Sequence, residues 1–192
     1  NNIIYTVFKR TVDYGFATFI LVFFWWFLLI VAALIRLDSS GTSIFVHQRV
    51  GRYGKVFSCY KFRTMLSGTE QVGTHEIHDT SVTKFGAFLR KTKIDELPQI
   101  LNLFMGDISL VGPRPSLPSQ TELIRLRAES GALIVRPGIT GLAQINNIDM
   151  SDPKTLAAWD AHYVAQQSIL HELRIIFLTS IGKGQGDRVS TS

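Results

Sequence analysis

The residues of this sequence best suited to chemistry are two adjacent acids, Asp95 and Glu96. The apolar period that follows them predicts a helix over residues 95–105, so both carboxylates lie at a helix N-terminus, where the helix dipole adds positive potential. Three basic side chains precede them and strengthen that potential: Arg90, Lys91 and Lys93. Such a position attracts phosphate. It also suits Asp95 as a simple helix cap, so the pair alone leaves a catalytic and a structural role open.

Arg114 is the second candidate, because it stands between Pro113 and Pro115. Proline restrains its own backbone and that of the preceding residue, so this arginine is held in an extended position. A guanidinium group binds phosphate through two parallel hydrogen bonds. Five further side chains are candidates for phosphate or substrate contact: Arg90, Arg136, Lys61, Arg63 and Gln48. For each, a salt bridge or a solvated surface position is the alternative.

Other reactive side chains give weaker signals. His75 and His78 are three residues apart without a third ligand nearby, so we expect solvated loop histidines and assign no zinc. Cys59 is the single cysteine, which excludes an internal disulfide, fits a reducing compartment and predicts a packed small hydrophobe. The sequence contains no P-loop signature for nucleotide phosphates.

The elements that must position these residues begin with an apolar segment over residues 16–37. Fourteen of the residues from 16 to 35 are Phe, Ile, Leu or Val, and none is charged, which predicts a membrane helix. On insertion scales they contribute at most about −4 to −8 kcal/mol together. The segment runs on into Arg36 and Asp38 without a small-residue cleavage pattern, which disfavours a signal peptide.

Basic residues flank both ends of this segment, so both ends are expected on the cytoplasmic side. Only a helix that enters, bends and returns satisfies that expectation, whereas a straight span does not. The segment has no proline or central glycine to make a bend, although Trp25 and Trp26 at its centre are unusual at that depth. A re-entrant and a fully spanning anchor therefore both stay open.

The polar remainder predicts a small, helix-rich α/β unit. Strands are expected over residues 43–46 and 55–62 as a hairpin, with a surface loop over 67–83. Helices are expected over residues 84–91, 95–105, 121–130, 152–167 and 169–181. The last has an apolar stripe suited to core packing or to contact with a membrane surface. We therefore divide the 192 residues into an anchor (1–38), a cytoplasmic domain (39–184) and a flexible tail (185–192).

Five short motifs occur in a characteristic order, at residues 61–65, 95–99, 106–107, 112–115 and 136–144. Together with the apolar helix they resemble the bacterial sugar transferase family, the monotopic phosphoglycosyl transferases. The resemblance covers almost the whole chain. It departs in one place, since Trp25-Trp26 stands where the family has a Ser-Pro pair that breaks the apolar helix.

The resemblance implies transfer of a sugar-1-phosphate from a nucleotide diphosphate sugar to a membrane polyprenyl phosphate, such as undecaprenyl phosphate, at the bacterial inner membrane. Asp95 would be the nucleophile and would hold Mg²⁺ with Glu96. Gln144, in the last motif, joins the substrate-binding candidates. The donor expected from the family is a uridine diphosphate N-acetylhexosamine, and the product would begin a surface glycan such as exopolysaccharide or lipopolysaccharide.

Two other functional classes remain to be separated from this one. The net charge of +5 would also suit a non-catalytic, membrane-anchored module that binds anionic lipid. Nucleic acid is not expected as a partner, because the basic residues are scattered among proline turns. A nucleotide-dependent phosphotransferase is disfavoured by the missing P-loop. Oligomeric state is not readable from the sequence.

Overall fold

The computed structural model describes residues 3–66 and 82–184. Eight α-helices lie in these ranges: α1 (Ile3–Phe23), α2 (Trp25–Asp38), α3 (Lys84–Thr92), α4 (Gln99–Met105), α5 (Thr121–Glu129), α6 (Leu142–Ile145), α7 (Pro153–Ala165) and α8 (Ile169–Ser180). The four strands are β1 (Ile44–Val50), β2 (Val56–Phe62), β3 (Ser109–Val111) and β4 (Gly138–Thr140). Short 3-10 turns occupy Arg52–Gly54, Ile94–Glu96 and Ala132–Ile134. The predicted helix-rich α/β class is confirmed.

The strands form two separate pairs. β1 and β2 make the predicted antiparallel hairpin, with His47 opposite Cys59, although β1 is longer than the sequence indicated. β3 and β4 form a short parallel pair that the sequence analysis missed, since three-residue strands show no readable alternation. This pair requires close backbone approach, because a Cβ on Gly138 would lie 2.1 Å from the backbone nitrogen of Gly112.

The predicted helix over residues 95–105 is wrong in its first turn. Asp95 and Glu96 lie in the separate 3-10 turn, and α4 begins only at Gln99, after Pro98. Proline has no N–H to donate and is tolerated only at the very start of a helix, so the α-helix begins behind it. The other four predicted helices are confirmed to within two residues at each end. The predicted loop over residues 67–83, with His75 and His78, lies almost wholly outside the described residues.

The apolar segment is bent rather than straight. α1 and α2 meet at 67° around Phe24, whose φ of −121° and ψ of 10° are not helical. The indole N–H of Trp26 donates to the carbonyl oxygen of Phe23 at 2.9 Å, which satisfies an acceptor exposed by the break. A tryptophan thus supports a bend that contains neither proline nor glycine. Within the described residues no single helix is long and apolar enough for a membrane crossing, while the bent pair together meets that test by length and composition.

Buried polar contacts fasten the first half of α1 to the rest of the fold. Asp13 is 1% exposed and accepts hydrogen bonds from Ser109 Oγ (2.8 Å) and the Leu110 backbone N–H (2.9 Å) at β3. It also pairs with Arg10 at 2.9 Å. Closer to the N-terminus, the Lys9 ammonium donates to Glu172 of α8 and to the Val111 carbonyl. Residues 9–13 therefore hold the apolar pair in a set position relative to β3 and α8.

The apolar stripe of α8 divides between interior and surface. Ile175 is buried, while four other apolar side chains of the stripe remain exposed: Leu170, Leu173, Phe177 and Ile181. Large apolar side chains on α3 and α4, namely Phe88, Leu101, Phe104 and Met105, are exposed as well. So much apolar surface outside the core is typical of a surface that contacts another phase or partner.

Asp13→Ala is expected to destabilise the fold by about 2 to 4 kcal/mol, because it leaves a buried N–H, a hydroxyl and a guanidinium without their acceptor. Thermal or chaotrope unfolding in detergent would measure the loss. Asp38→Ala, at an exposed position at the end of α2, is the matched control and should change stability little. Equal stability of the two variants would show that the Asp13 contacts do not hold α1 in place.

Candidate functional site

The turn that carries Asp95 and Glu96 is set by the residue before it. α3 ends at Thr92, and Lys93 adopts a left-handed backbone conformation with φ of 58°, which reverses the chain. A non-glycine residue in this region costs of order 1–3 kcal/mol, and such residues cluster at active sites and ligand-binding turns. The Lys93 ammonium donates to the Gly184 carbonyl at 2.5 Å, which holds the turn against the end of the described chain. The two carboxylates are thereby turned toward β2.

Glu96 is held by two cations from different parts of the chain. Lys61 on β2 donates to its Oε1 at 2.8 Å, and the Arg114 guanidinium lies 3.6 Å from the same oxygen. Burial alone would raise the pKa of Glu96, but the Lys61 and Arg114 charges overcome it and hold this pKa at about 2. Glu96 is therefore ionised at neutral pH, and its Oε1 oxygen is engaged by both cations.

Asp95 differs from its neighbour in its hydrogen bonding and in the direction of its pKa shift. Its carboxylate accepts no hydrogen bond from any residue that the structure describes. Burial, helped by the charge of Glu96, raises the pKa of Asp95 to about 6, and the attraction of Lys61, Arg90 and Arg114 offsets burial only in part. A pair of adjacent acids with pKa values moved in opposite directions is typical of an active site. Asp95 is the carboxylate left available to an electrophile or a cation.

Arg114 reaches this site because its proline-bounded segment is fastened to the hairpin. Arg49 donates to the Pro115 carbonyl at 3.1 Å, and the Val50 backbone N–H donates to the Ser116 carbonyl at 2.9 Å. Arg90 approaches from α3, where its Nε donates to Thr64 Oγ1 at 2.9 Å. A small cavity opens among these groups, lined by Arg49, Cys59, Lys61, Glu96, Gln99, Arg114, Pro115, Gly138 and Ile139. Five predicted site residues are thus brought together: Asp95, Glu96, Lys61, Arg90 and Arg114.

Four other predicted site residues lie elsewhere or at the margin. Arg63 donates to the Ser39 and Ser40 carbonyls at the end of α2. Arg136 donates to the Gly106 carbonyl and has Arg10 and Arg52 as its cationic neighbours rather than the residues around Asp95. Gln48 is exposed, and its amide donates to Ser58. Gln144 donates to the carbonyl of Ile139, a residue of the cavity wall.

The cavity also contains residues that the sequence analysis did not select. Arg49, Cys59 and Gln99 line it, and His47 lies on the same face of the hairpin as Arg49. Strand alternation could have found this face, since residues 47 and 49 point away from Gln48 and toward the side of Lys61. Gln48 is one residue away from both His47 and Arg49, so its side chain lies on the opposite face of the strand.

The two acids could supply one or two ligands to a magnesium ion. That number suits a site completed by substrate and water rather than a site built wholly from protein ligands. Among residues 3–66 and 82–184, no group of three or more His, Cys, Asp or Glu side chains could enclose an ion. Magnesium is commonly bound by only one or two carboxylates, with the remaining ligands supplied by substrate phosphates and water. Asp95, with no hydrogen bond from the described residues, provides such an oxygen, whereas Glu96 already has two cations beside it.

Sequence comparisons with known proteins place this chain in a family. The chain is 36% identical to the exopolysaccharide production protein ExoY of Sinorhizobium fredii, over 89% of this chain and 83% of that protein. It is 36% identical to the UDP-glucose:undecaprenyl-phosphate glucose-1-phosphate transferase of Escherichia coli, over 89% of this chain and 39% of that protein. It is also 36% identical to the UDP-N-acetylgalactosamine-undecaprenyl-phosphate N-acetylgalactosaminephosphotransferase of Aeromonas hydrophila, over 92% of this chain and 43% of that protein.

The chain thus spans most of ExoY but about two fifths of the two larger relatives. The family described as bacterial sugar transferase matches residues 4–183, which include the apolar pair, the hairpin and the acidic turn. The resemblance that the five motifs indicated is confirmed. This chain belongs to the bacterial sugar transferase family.

Proposed function

We propose that this chain transfers a sugar-1-phosphate from a nucleotide diphosphate sugar to a polyprenyl phosphate through a covalent adduct on Asp95. The observation that carries the proposal is the contrast between Glu96, engaged by Lys61 and Arg114, and Asp95, which has a raised pKa and no hydrogen bond from the described residues. Family membership confirms that the chain is an enzyme of the phosphoglycosyl transferase kind rather than a non-catalytic binding module.

In the first step, a carboxylate oxygen of Asp95 attacks the phosphorus that bears the sugar. A new oxygen–phosphorus bond forms, the bond to the bridging diphosphate oxygen breaks, and the nucleoside monophosphate leaves with that electron pair. In the second step, an oxygen of the polyprenyl phosphate attacks the same phosphorus and releases the Asp95 carboxylate. The product is a polyprenyl diphosphate sugar, and the enzyme is regenerated.

The cations around Asp95 reduce the electrostatic repulsion that opposes the first step. A carboxylate approaching a diphosphate meets repulsion of about 4 kcal/mol per pair of unit charges at 4 Å and an effective dielectric constant of 20. Lys61, Arg90 and Arg114 all act electrostatically on Asp95, and each can also face the donor's phosphates. Their combined charge offsets the repulsion where the new bond forms.

Magnesium is proposed as the cofactor, held by Asp95 and Glu96 together with the donor's phosphates. When bound, it would neutralise charge on the diphosphate and so act as a Lewis acid. Glu96 stays ionised at any physiological pH, which favours a cation beside it even though Lys61 and Arg114 already contact it.

The membrane arrangement that we propose is a re-entrant anchor over residues 1–38, with the domain over 39–184 and the tail over 185–192 in the cytoplasm. The 67° bend at Phe24 supports a helix pair that returns to the leaflet it entered, and the exposed apolar faces of α3, α4 and α8 would rest on that leaflet. Acceptor and anchor then share one membrane, the bacterial inner membrane.

The acceptor and donor classes that we propose follow the names of the relatives. Two of them are named for undecaprenyl phosphate and a uridine diphosphate sugar, carrying glucose in one and N-acetylgalactosamine in the other. We propose undecaprenyl phosphate and a uridine diphosphate sugar, with an N-acetylhexosamine as the first sugar to test. ExoY is named for exopolysaccharide production, and this reaction would be a first membrane step of such a surface glycan.

The decisive experiment incubates detergent-solubilised enzyme with a panel of uridine diphosphate sugars, Mg²⁺ and undecaprenyl phosphate. We expect release of uridine monophosphate from at least one sugar, its loss in the presence of a chelator, and at least about a thousandfold slower release by Asp95→Asn because the nucleophile is gone. Glu122→Gln, an exposed carboxylate-to-amide change on α5, is the control and should keep full activity.

Mass spectrometry of the enzyme mixed with donor alone tests the covalent step directly. A phosphosugar attached at Asp95 is expected. Normal turnover without any such adduct would rule out the two-step scheme.

The raised pKa of Asp95 predicts that its ionised carboxylate, which the proposed reaction needs, lowers the stability of the folded protein. The Asp95 carboxyl has a pKa of about 6 in the folded protein and 3.8 in the unfolded chain, so it ionises more readily when the chain is unfolded. The free energy of unfolding therefore falls as pH rises from about 4 to 6. Asp95→Asn removes this loss and should raise Tm by a few degrees at about pH 8, with the gain disappearing toward about pH 4. Thermal melts of both proteins across this range would measure it. A lower Tm for Asp95→Asn at about pH 8 would contradict the prediction.

Topology is testable with peptide tags on residue 1 and on Ser192. If the anchor is re-entrant, both tags should be reached by a probe only after the inner membrane is made permeable, because both lie in the cytoplasm. A tag at the N-terminus that is labelled from the outside of intact spheroplasts would establish a full membrane crossing instead. A cytoplasmic protein with the same tag controls for leakage.

A further inference from the structure

His47 is a buried polar residue that the proposed mechanism does not use. It is 8% exposed, and its Nε2 atom has no hydrogen-bond partner within the part of the chain that the structure describes. Its ring makes a tilted contact with that of Phe45, at 5.3 Å between centroids. Most buried polar atoms in folded proteins have a hydrogen-bond partner, so an unpartnered one beside a site is a candidate to bind the ligand of that site.

The strand register directs this side chain toward the site. His47 pairs with Cys59 across the hairpin, and residues directly opposite each other in an antiparallel pair project from the same face. Cys59 and Arg49, two residues along β1, both line the cavity. Each charged group that acts on His47 also belongs to that cavity: Arg49, Lys61, Arg114 and Glu96. His47 therefore faces the cationic cluster and not the opposite side of the hairpin.

The surroundings keep this imidazole neutral. Burial, together with the charges of Arg49, Lys61 and Arg114, lowers the pKa of His47 to about 3. A neutral imidazole carries one N–H donor and one acceptor. Beside three cations it can add a hydrogen bond to an anionic ligand without adding further positive charge, which the already crowded cluster would resist.

We infer that His47 is a donor-positioning residue, whose Nε2–H hydrogen-bonds an anionic oxygen of the diphosphate of the nucleotide sugar. The inference rests on the proposed function and deepens it, because it assigns to the unpartnered atom the ligand that the surrounding cations attract. Lys61 and Arg114 supply charge, and His47 orients the ligand, since a single N–H can donate only to an oxygen within a narrow range of positions. The role needs the tautomer with hydrogen on Nε2.

The test compares His47→Phe with His47→Gln. Phenylalanine fills the space without a donor, whereas glutamine can place an N–H near the same point. With a uridine diphosphate sugar that the wild type accepts, His47→Phe should raise KM for the donor about tenfold, with a smaller change in kcat, and His47→Gln should recover most of the loss. Val46→Ala, at an exposed position on the opposite face of the same strand, is the control and should leave both constants unchanged.

Binding measured without turnover separates this inference from the proposed function. In an Asp95→Asn background, which cannot form the adduct, adding His47→Phe should weaken calorimetric binding of the donor about tenfold. Equal affinity of the two proteins, or a fall in Tm as the sole effect of His47→Phe, would overturn the positioning role while leaving the transferase proposal intact. Absence of turnover by the wild type with every sugar would overturn the proposed function, and the inference with it.

Discussion

The organisation of this site depends on one ionic contact, the engagement of Glu96 by Lys61 and Arg114. The three residues come from the turn after α3, from β2 and from the segment after β3, so the contact joins three parts of the chain that are distant in sequence. Removing one partner of such a partly buried set leaves an uncompensated charge, which is far more costly than the net value of the pair. The same contact satisfies Glu96 and leaves its neighbour Asp95 without a hydrogen bond from the described residues. The difference in pKa between the two adjacent acids thus arises from their neighbours and not from residue type.

Close backbone contact makes this arrangement possible. Gly112 and Gly138 approach so nearly that any side chain on Gly138 would collide, and the short parallel pair β3–β4 brings two loop motifs against each other. Arg49 then fastens the proline-bounded segment to the hairpin through the Pro115 carbonyl. Asp13 of α1 bonds to Ser109 and Leu110 of β3. The apolar helix pair and the cationic site are therefore both connected to β3, which fixes the position of the site relative to that helix pair.

Much of the fold was predictable because its helices carry clear local signals. Asp152 caps α7 and Pro153 begins it, and the apolar period of residues 169–181 predicted α8 closely. The hairpin followed from alternation and two glycines. The start of α4 was misjudged because the apolar period extends through Pro98, where backbone chemistry overrides periodicity. The bend at Phe24 contains no proline or glycine from which it could have been predicted. It is supported by the Trp26 indole, which donates to the Phe23 carbonyl oxygen.

The sequence by itself determined the family, the apolar N-terminal segment and the identity of the two acids, because short motifs and long apolar runs are local properties of the chain. It also indicated Lys61, Arg90 and Arg114 as candidate site residues, and the structure shows that they lie close to these acids. Only the tertiary structure decided which acid is engaged and which is left available, and that Arg136 lies with Arg10 and Arg52. It also showed that His47, rather than Gln48, shares a face of the hairpin with residues that line the cavity. Charge pairing, strand register and burial are relations between distant residues, and their energies exist only once the chain has brought those residues into contact.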